Sequence, residues 1–178
     1  MAEEAISEVI NAALLERLRQ AYPLNWDGTH GFSHWRRVRE IGLRLAEETR
    51  ANPKVVELFA FTHDIQRLND HRDPQHGPRA SQFIREHLVE MLDLNSQEVA
   101  LLCQACEQHT QGLTEADPTV QTCWDADRLD LMRVGIYPDP NLLCTAAARQ
   151  PEMIAWAVSL SMESQGYGEG CPDRRLEN

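Results

Sequence analysis

Apolar residues recur three and four positions apart along almost the whole chain, a periodicity that fits helices and little else. The first stripe is Ile6, Val9, Ile10, Ala13, Leu14 and Leu18, which predicts a helix over about residues 2–21, ended by Pro23. A loop over residues 25–33 carries Gly28, His30 and Gly31. Ser33 is a favourable N-cap for a second helix, whose inner stripe is His34, Val38, Ile41 and Leu45. That helix must stop before Asn52-Pro53. A third, over about residues 53–67, is apolar on most sides through Val55, Val56, Leu58, Phe59 and Phe61, so it belongs at the centre of the fold. A polar loop over residues 69–78 leads to a fourth helix, about residues 78–91, burying Ala80, Phe83, Ile84 and Leu88.

Asn95 and Glu98 have capping-box spacing for a fifth helix holding Val99, Leu102, Cys103 and Cys106. Asp117-Pro118 is an N-cap followed by proline at the first helical position. The sixth helix it opens carries Val120, Trp124, Asp127 and Leu131, with Gly135 as its stop. Shorter helices are expected near residues 141–149 and 151–162, and a loose tail over residues 166–178. No stretch alternates as a strand would. The reading is therefore an all-α fold, one domain over residues 1–165, which suits a chain of 178 residues.

The charge balance narrows the partners. Lys plus Arg is 17 and Asp plus Glu is 28, a formal net charge of −11. Such a field repels polyanions, so long nucleic acids and anionic membranes are poor partners. A small phosphorylated ligand is still allowed, because a metal ion or a few arginines can neutralise it locally. The N-terminus is acidic where a signal peptide needs a basic start, and no run of about 18 apolar residues exists to span a bilayer. The five cysteines are an odd number, which without such a signal reads as reduced thiols and a cytoplasmic protein. A homodimer is compatible with all of this.

Histidines and aspartates sit where chemistry could use them. His34 faces inward at the start of the second helix. His63 and Asp64 adjoin at the end of the buried third. Helical neighbours diverge by about 100°, so a point between them is reachable by both. Asp127 lies on the apolar stripe of the sixth helix, between Trp124 and Leu131. A carboxylate there must meet a cation or cost several kcal/mol. Two imidazoles and two carboxylates suit Mn, Fe, Zn, Co or Ni better than Ca or Mg. His76, in the polar loop, and His109, at the end of the fifth helix, are further candidates.

The ordered set His34-Trp-Arg-Arg-Val38, Phe61-Thr-His63-Asp64 and Ala126-Asp127-Arg-Leu-Asp130 resembles the HD-domain superfamily of metal-dependent phosphohydrolases, over about residues 26–135. The resemblance implies a compact helical bundle with the metal site between its central helices. It implies His34, His63, Asp64 and Asp127 as ligands, and His76 and His109 for a second ion. Asp125 competes for the fourth position, though Asp127 matches the family's Ala-Asp and shares the Trp124–Leu131 stripe. No Gly-Tyr-Pro follows His109, unlike the cyclic-dinucleotide phosphodiesterases. Gln66 and Arg67 follow the His-Asp pair where alarmone hydrolases place acidic residues.

The reaction implied is hydrolysis of a phosphate ester or anhydride of a small molecule, such as a nucleotide, by metal-activated water. Asp64 would orient the water or bridge ions. Arg128 would act in catalysis, and Arg67 and Arg79 would bind phosphate oxygens. His76 and His109, if not ligands, would contact substrate or protonate the leaving group. Two rivals share the ligand set: an HD-type di-iron oxygenase and a non-catalytic HD ligand-sensing module.

Plainer roles stand beside these. His30 is expected to be structural, and His71 and His87 to lie on the surface. Cys103-x-x-Cys106-x-x-His109 has zinc-knuckle spacing, but two cysteines mid-helix pack better as small hydrophobes. Arg36, Arg37, Arg39 and Arg44, interspersed with Glu40, Glu47 and Glu48, read as a solvated helix face.

Overall fold

The central third helix, α3 (Pro53–Thr62), is nearly all buried, from Val55 to Thr62, and the other helices are arranged round it. We describe residues 5–163 in a computed structural model; the tail expected beyond residue 166 lies outside them. α2 (Phe32–Thr49) packs along α3 and along α6 (Pro118–Leu129). α4 (His76–Phe83) pairs with α5 (Ser96–Gln108), and α5 also touches α3 and α6. α7 (Pro151–Glu163) lies against α2, α6 and the 3-10 turn Leu131–Val134. α1 (Ala12–Ala21) closes the bundle with Leu14, Leu15 and Leu18 buried. The described residues form helices and turns without strands, so the all-α expectation holds.

Caps decide most boundaries. The Asn95/Glu98 capping box forms at α5, and Asp117 caps α6 with Pro118 in its first turn. Six boundaries differ from the sequence reading. α3 ends at Thr62 rather than near residue 67, and α6 ends at Leu129, Gly135 stopping the separate 3-10 turn instead. α1 starts at Ala12, because Ser7 accepts from the Ile10 amide and Asn11 from the Leu14 amide; such side-chain bonds break a helix that apolar spacing alone would continue. α2 is capped by Gly31 rather than Ser33, since a Cβ at Gly31 would meet the Trp26 carbonyl at 2.1 Å. α4 starts two residues early, so His76 lies on a helix and not in a loop; beyond Phe83 the chain relaxes into a π turn (Ile84–Leu88) and a 3-10 turn. The short helix expected near residues 141–149 is replaced by turns, because Asp125 draws the amides of Cys144 and Thr145 to its carboxylate.

The close approach of α2, α3 and α6 has a visible cause in Gly42. A Cβ there would lie 2.6 Å from Val56 Cγ1 and 3.3 Å from Ala126 Cβ. Gly42→Ala is therefore expected to destabilise the protein by about 1 kcal/mol, overpacking outweighing the gain in helix propensity. Val56→Ala in the same chain should recover part of that loss. Urea unfolding of the two single variants and the double variant checks both statements.

Candidate metal centre

Six side chains from five helices or helix ends converge on one buried point. His34 stands in the first turn of α2. His63 and Asp64 follow α3 immediately, on a turn tightened by bonds from the Ile65 amide to Thr62 O and from the Arg67 amide to Asp64 O. His76 opens α4, His109 caps the C-terminus of α5, and Asp127 sits near the end of α6.

The atoms fall into two groups. His34 Nε2 lies 3.1 Å from His63 Nε2 and 3.4 Å from Asp127 Oδ1, and His63 Nε2 lies 3.7 Å from the same oxygen. His76 Nε2 lies 2.8 Å from His109 Nε2 and 3.0 Å from Asp64 Oδ1, which is 3.7 Å from His109 Nε2. Asp64 belongs to both groups: its Oδ2 faces His63 at 3.7 Å and His34 at 3.9 Å. Donor atoms sharing one ion with bonds near 2.1 Å stand about 3.0–3.4 Å apart, so both groups have roughly the size of a coordination shell.

The tautomers strengthen that fit. His63 Nδ1 donates to Phe59 O, His109 Nδ1 to Cys106 O, and His76 Nδ1 to Asp73 O. His34 Nδ1 donates to the Asp130 carboxylate at 2.7 Å. With Nδ1 donating to each of these acceptors, every imidazole turns its Nε2 inward. Ring nitrogens facing one another at 3.1 Å and at 2.8 Å need a cation or a shared proton between them.

The electrostatics agree. Burial pushes the His63 pKa down to about 3, with the nearby Asp64 and Asp127 charges only partly opposing it, so His63 is a neutral donor. Burial alone would raise the Asp64 and Asp127 carboxyls. The surrounding imidazoles hold both well below the usual carboxylate range, helped at Asp127 by Arg133. At His109 burial lowers the pKa but the Asp64 and Asp127 carboxylates outweigh it and raise it, so a metal ion there would displace a proton. Ionised carboxylates and imidazole nitrogens are the donor set that a divalent transition metal takes. Asp127, with 17 % of its side chain exposed, is the side that faces solvent most.

The arginines expected near phosphate are placed unequally. Arg67 donates to Asp64 Oδ1 at 3.0 Å and to the carbonyls of Asn69 and His71. Arg79 is committed to Gln66 O and Asp73, bracing the loop before His76. Arg128, expected in catalysis, instead donates to Leu142 O and Leu113 O and lies over the Trp124 ring. Its guanidinium ties two loops, because residue 128 points away from the face that Asp127 presents. Asp125 likewise turns away, accepting from the amides of Cys144 and Thr145 and from the Thr145 hydroxyl.

Five residues at the site were not assigned there from sequence, one of them Arg133, 3.9 Å from Asp127 Oδ1. His30 is buried and its Nδ1 lies 3.1 Å from Asp64 Oδ2. Asp130 holds His34. Arg37, expected on a solvated face, is buried against Asp130 at 2.7 Å. Gly77 lets α4 approach α5: a Cβ there would lie 2.5 Å from Cys106 O and 3.2 Å from His109 Nδ1. The signal for Asp130 was its three-residue offset from Asp127, which puts both on one helix face. His71 and His87 are exposed, and Cys103 and Cys106 are buried thiols whose pKa burial raises, as packing residues should be.

This architecture has a counterpart among solved structures. A crystal structure described as a predicted HD superfamily hydrolase, from an uncultured Thermotogales bacterium, matches with a TM-score of 0.62 at 24 % identity. The match covers 86 % of this chain and 87 % of that one. The chain has an HD-domain fold. No protein-family model and no curated protein matches it. In HD-fold terms, the paired imidazoles and the two carboxylates lie between the central helices, where the sequence resemblance implied them.

Asp125 and Asp127 should separate cleanly on substitution. Asp125→Ala is expected to cost about 1–3 kcal/mol of stability by stranding two buried amides, while bound metal is retained. Asp127→Ala should lose metal with little change in stability of the metal-free form. Denaturant unfolding with elemental analysis of each variant reads both. Gly77→Ala should also lose metal, as α5 and His109 shift to make room.

Proposed function

We propose that this protein is a metal-dependent phosphohydrolase of the HD type, cleaving a phosphate ester or anhydride of a small molecule with two divalent transition-metal ions. The supporting observation is the Asp64 carboxylate, whose two oxygens face different imidazole pairs. His34, His63 and Asp127 would hold one ion, His76 and His109 the other, and Asp64 would give an oxygen to each. Bound in this way, such ions lower the pKa of water towards neutrality and offset the charge of a phosphoryl group.

The chain's own residues then have distinct tasks. The Nδ1 anchors keep each Nε2 aimed inward. His30, hydrogen-bonded to Asp64, is positioned to hold or move a proton at the open side of that carboxylate. Arg67 and Arg133 are the guanidinium groups beside the candidate ligand carboxylates, Arg133 lying 3.9 Å from Asp127 Oδ1, and we assign phosphate binding to them and to Arg128, which lines the cavity beside His109, rather than to Arg79. A cavity of about 210 Å³ borders His109 and is walled by Arg128 and Asp139 as well as by Leu131, Leu142 and Leu143. It lies below the roughly 300 Å³ at which ordinary ligand pockets begin, which favours a small organic moiety.

Elemental analysis of protein purified without chelator should find two transition-metal ions per chain. Phosphatase assays with Mn, Mg, Co and Ni should show turnover that chelation removes. Asp64→Asn should lower that turnover at least about 100-fold, the scale of losing one preorganised charge-stabilising group. Two irons with oxygen consumption would transfer the site to the oxygenase rival. Equal inertness of wild type and Asp64→Asn across phosphomonoesters, diesters and nucleotides would favour the sensing module.

A further inference from the structure

Three of the four site histidines are anchored by their own chain. The acceptors Phe59, Asp73 and Cys106 lie four, three and three residues before His63, His76 and His109. His34 lacks this option. It stands in the first turn of α2, and no carbonyl three or four residues before it meets its ring. Its Nδ1 is met instead by Asp130, 96 residues away in sequence.

Asp130 is itself held from three directions. Its Oδ1 accepts from Arg37 Nε at 2.7 Å and from the Ser161 hydroxyl at 2.6 Å. Its Oδ2 accepts from Arg37 NH2 at 3.0 Å as well as from His34, and Arg133 stands 3.9 Å away. Asp130, His34 and Ser161 are all fully buried. Ser161 belongs to α7, at the other end of the chain from His34. An unbroken run of hydrogen bonds therefore joins the last described helix to an imidazole whose far nitrogen faces the candidate metal position.

We propose that Asp130 is a positioning residue that fixes His34 with Nε2 free for a metal ion, and that Ser161 couples docking of α7 to metal loading through the same carboxylate. The proposal rests on the reading that the site binds metal. A carboxylate behind a ligating imidazole sets its tautomer and orientation and raises its basicity. Here that carboxylate comes from the turn after α6 and is completed by α7, so neither the HD motif nor α2 alone suffices to aim His34.

The test is cobalt(II) titration of the full chain, followed by calorimetry and by the visible bands of the ion, with wild type, Asp130→Asn, Ser161→Ala and Ser161→Thr. Wild type should bind two ions. Asp130→Asn keeps the shape of the side chain and should weaken one ion by about 10–100-fold while the other is retained. Ser161→Ala should weaken the same ion by a smaller factor and change its spectrum, and Ser161→Thr should restore both. Hydrogen exchange should show α7 amides protected by cobalt in wild type and not in Ser161→Ala. If both variants bind two ions with wild-type affinity and spectrum, Asp130 is only a structural ion-pair partner, even if melting temperatures fall. Should Asp130→Asn fail to fold, Ser161→Ala decides. Wild type that binds no cobalt would overturn the metal-centre reading itself, a result distinct from unaltered binding by the variants.

Discussion

The Asp64 carboxylate is the hinge of this molecule. It is 2 % exposed, ionised, and shared between two imidazole pairs, His30 and Arg67. A buried carboxylate is tolerable only when its lone pairs are answered. Answering them demands that α2, α3, α4 and α5 bring their termini to one place. The bundle's topology is in this sense organised by the requirement, and the glycines at its closest approaches, Gly42 and Gly77, are the concessions that let the helices get near enough.

The hydrophobic frame supplies the rigidity. α3 is the most apolar element, and the chemistry begins at the residue where it ends. Phe59 shows the coupling: its ring stacks on His63, while its carbonyl takes the His63 Nδ1 proton. Trp124 plays a similar part, its indole donating to Ala105 O and fixing α5 against α6 on opposite sides of the site. Packing and ligand orientation are carried by the same residues, so core substitutions near the ends of α3 and α5 should perturb the chemistry as much as the stability.

Much of this was legible in the sequence, and the reasons differ by residue. The helices were readable because their apolar spacing and the caps at Asn95 and Asp117 are local signals. The clustering of His34, His63, Asp64 and Asp127 was readable because polar groups on apolar stripes stand out. Illegible were the features set by contacts distant in sequence. Arg37 looks solvated on a basic helix until Asp130 arrives from 93 residues away. Arg128 looks catalytic by its place beside Asp127, yet the loop carbonyls of Leu113 and Leu142 claim it. His30 reads as a loop residue because nothing local says that the loop folds back onto Asp64. The early start of α4 escaped because proline at a first helical position is the stronger prior, whereas Pro78 sits in the third.

The charge inventory bears on the proposed function. Asp64 and Asp127 contribute two negative charges, which Arg67 and Arg133 roughly balance. Asp130 is held to about 2, burial opposed by His34 and Arg37, and its charge is spent on Arg37. These carboxylates and guanidinium groups thus offset one another inside a chain of net charge −11. Two divalent cations would make this one buried point strongly positive, while the rest of the surface repels large polyanions. A small anion can enter that field without meeting much of the acidic exterior; a long nucleic acid cannot. On the proposed function, the acidic composition that disfavours polymers would still leave room for a compact phosphorylated substrate, and selectivity would come from the contrast between surface and centre rather than from any single residue.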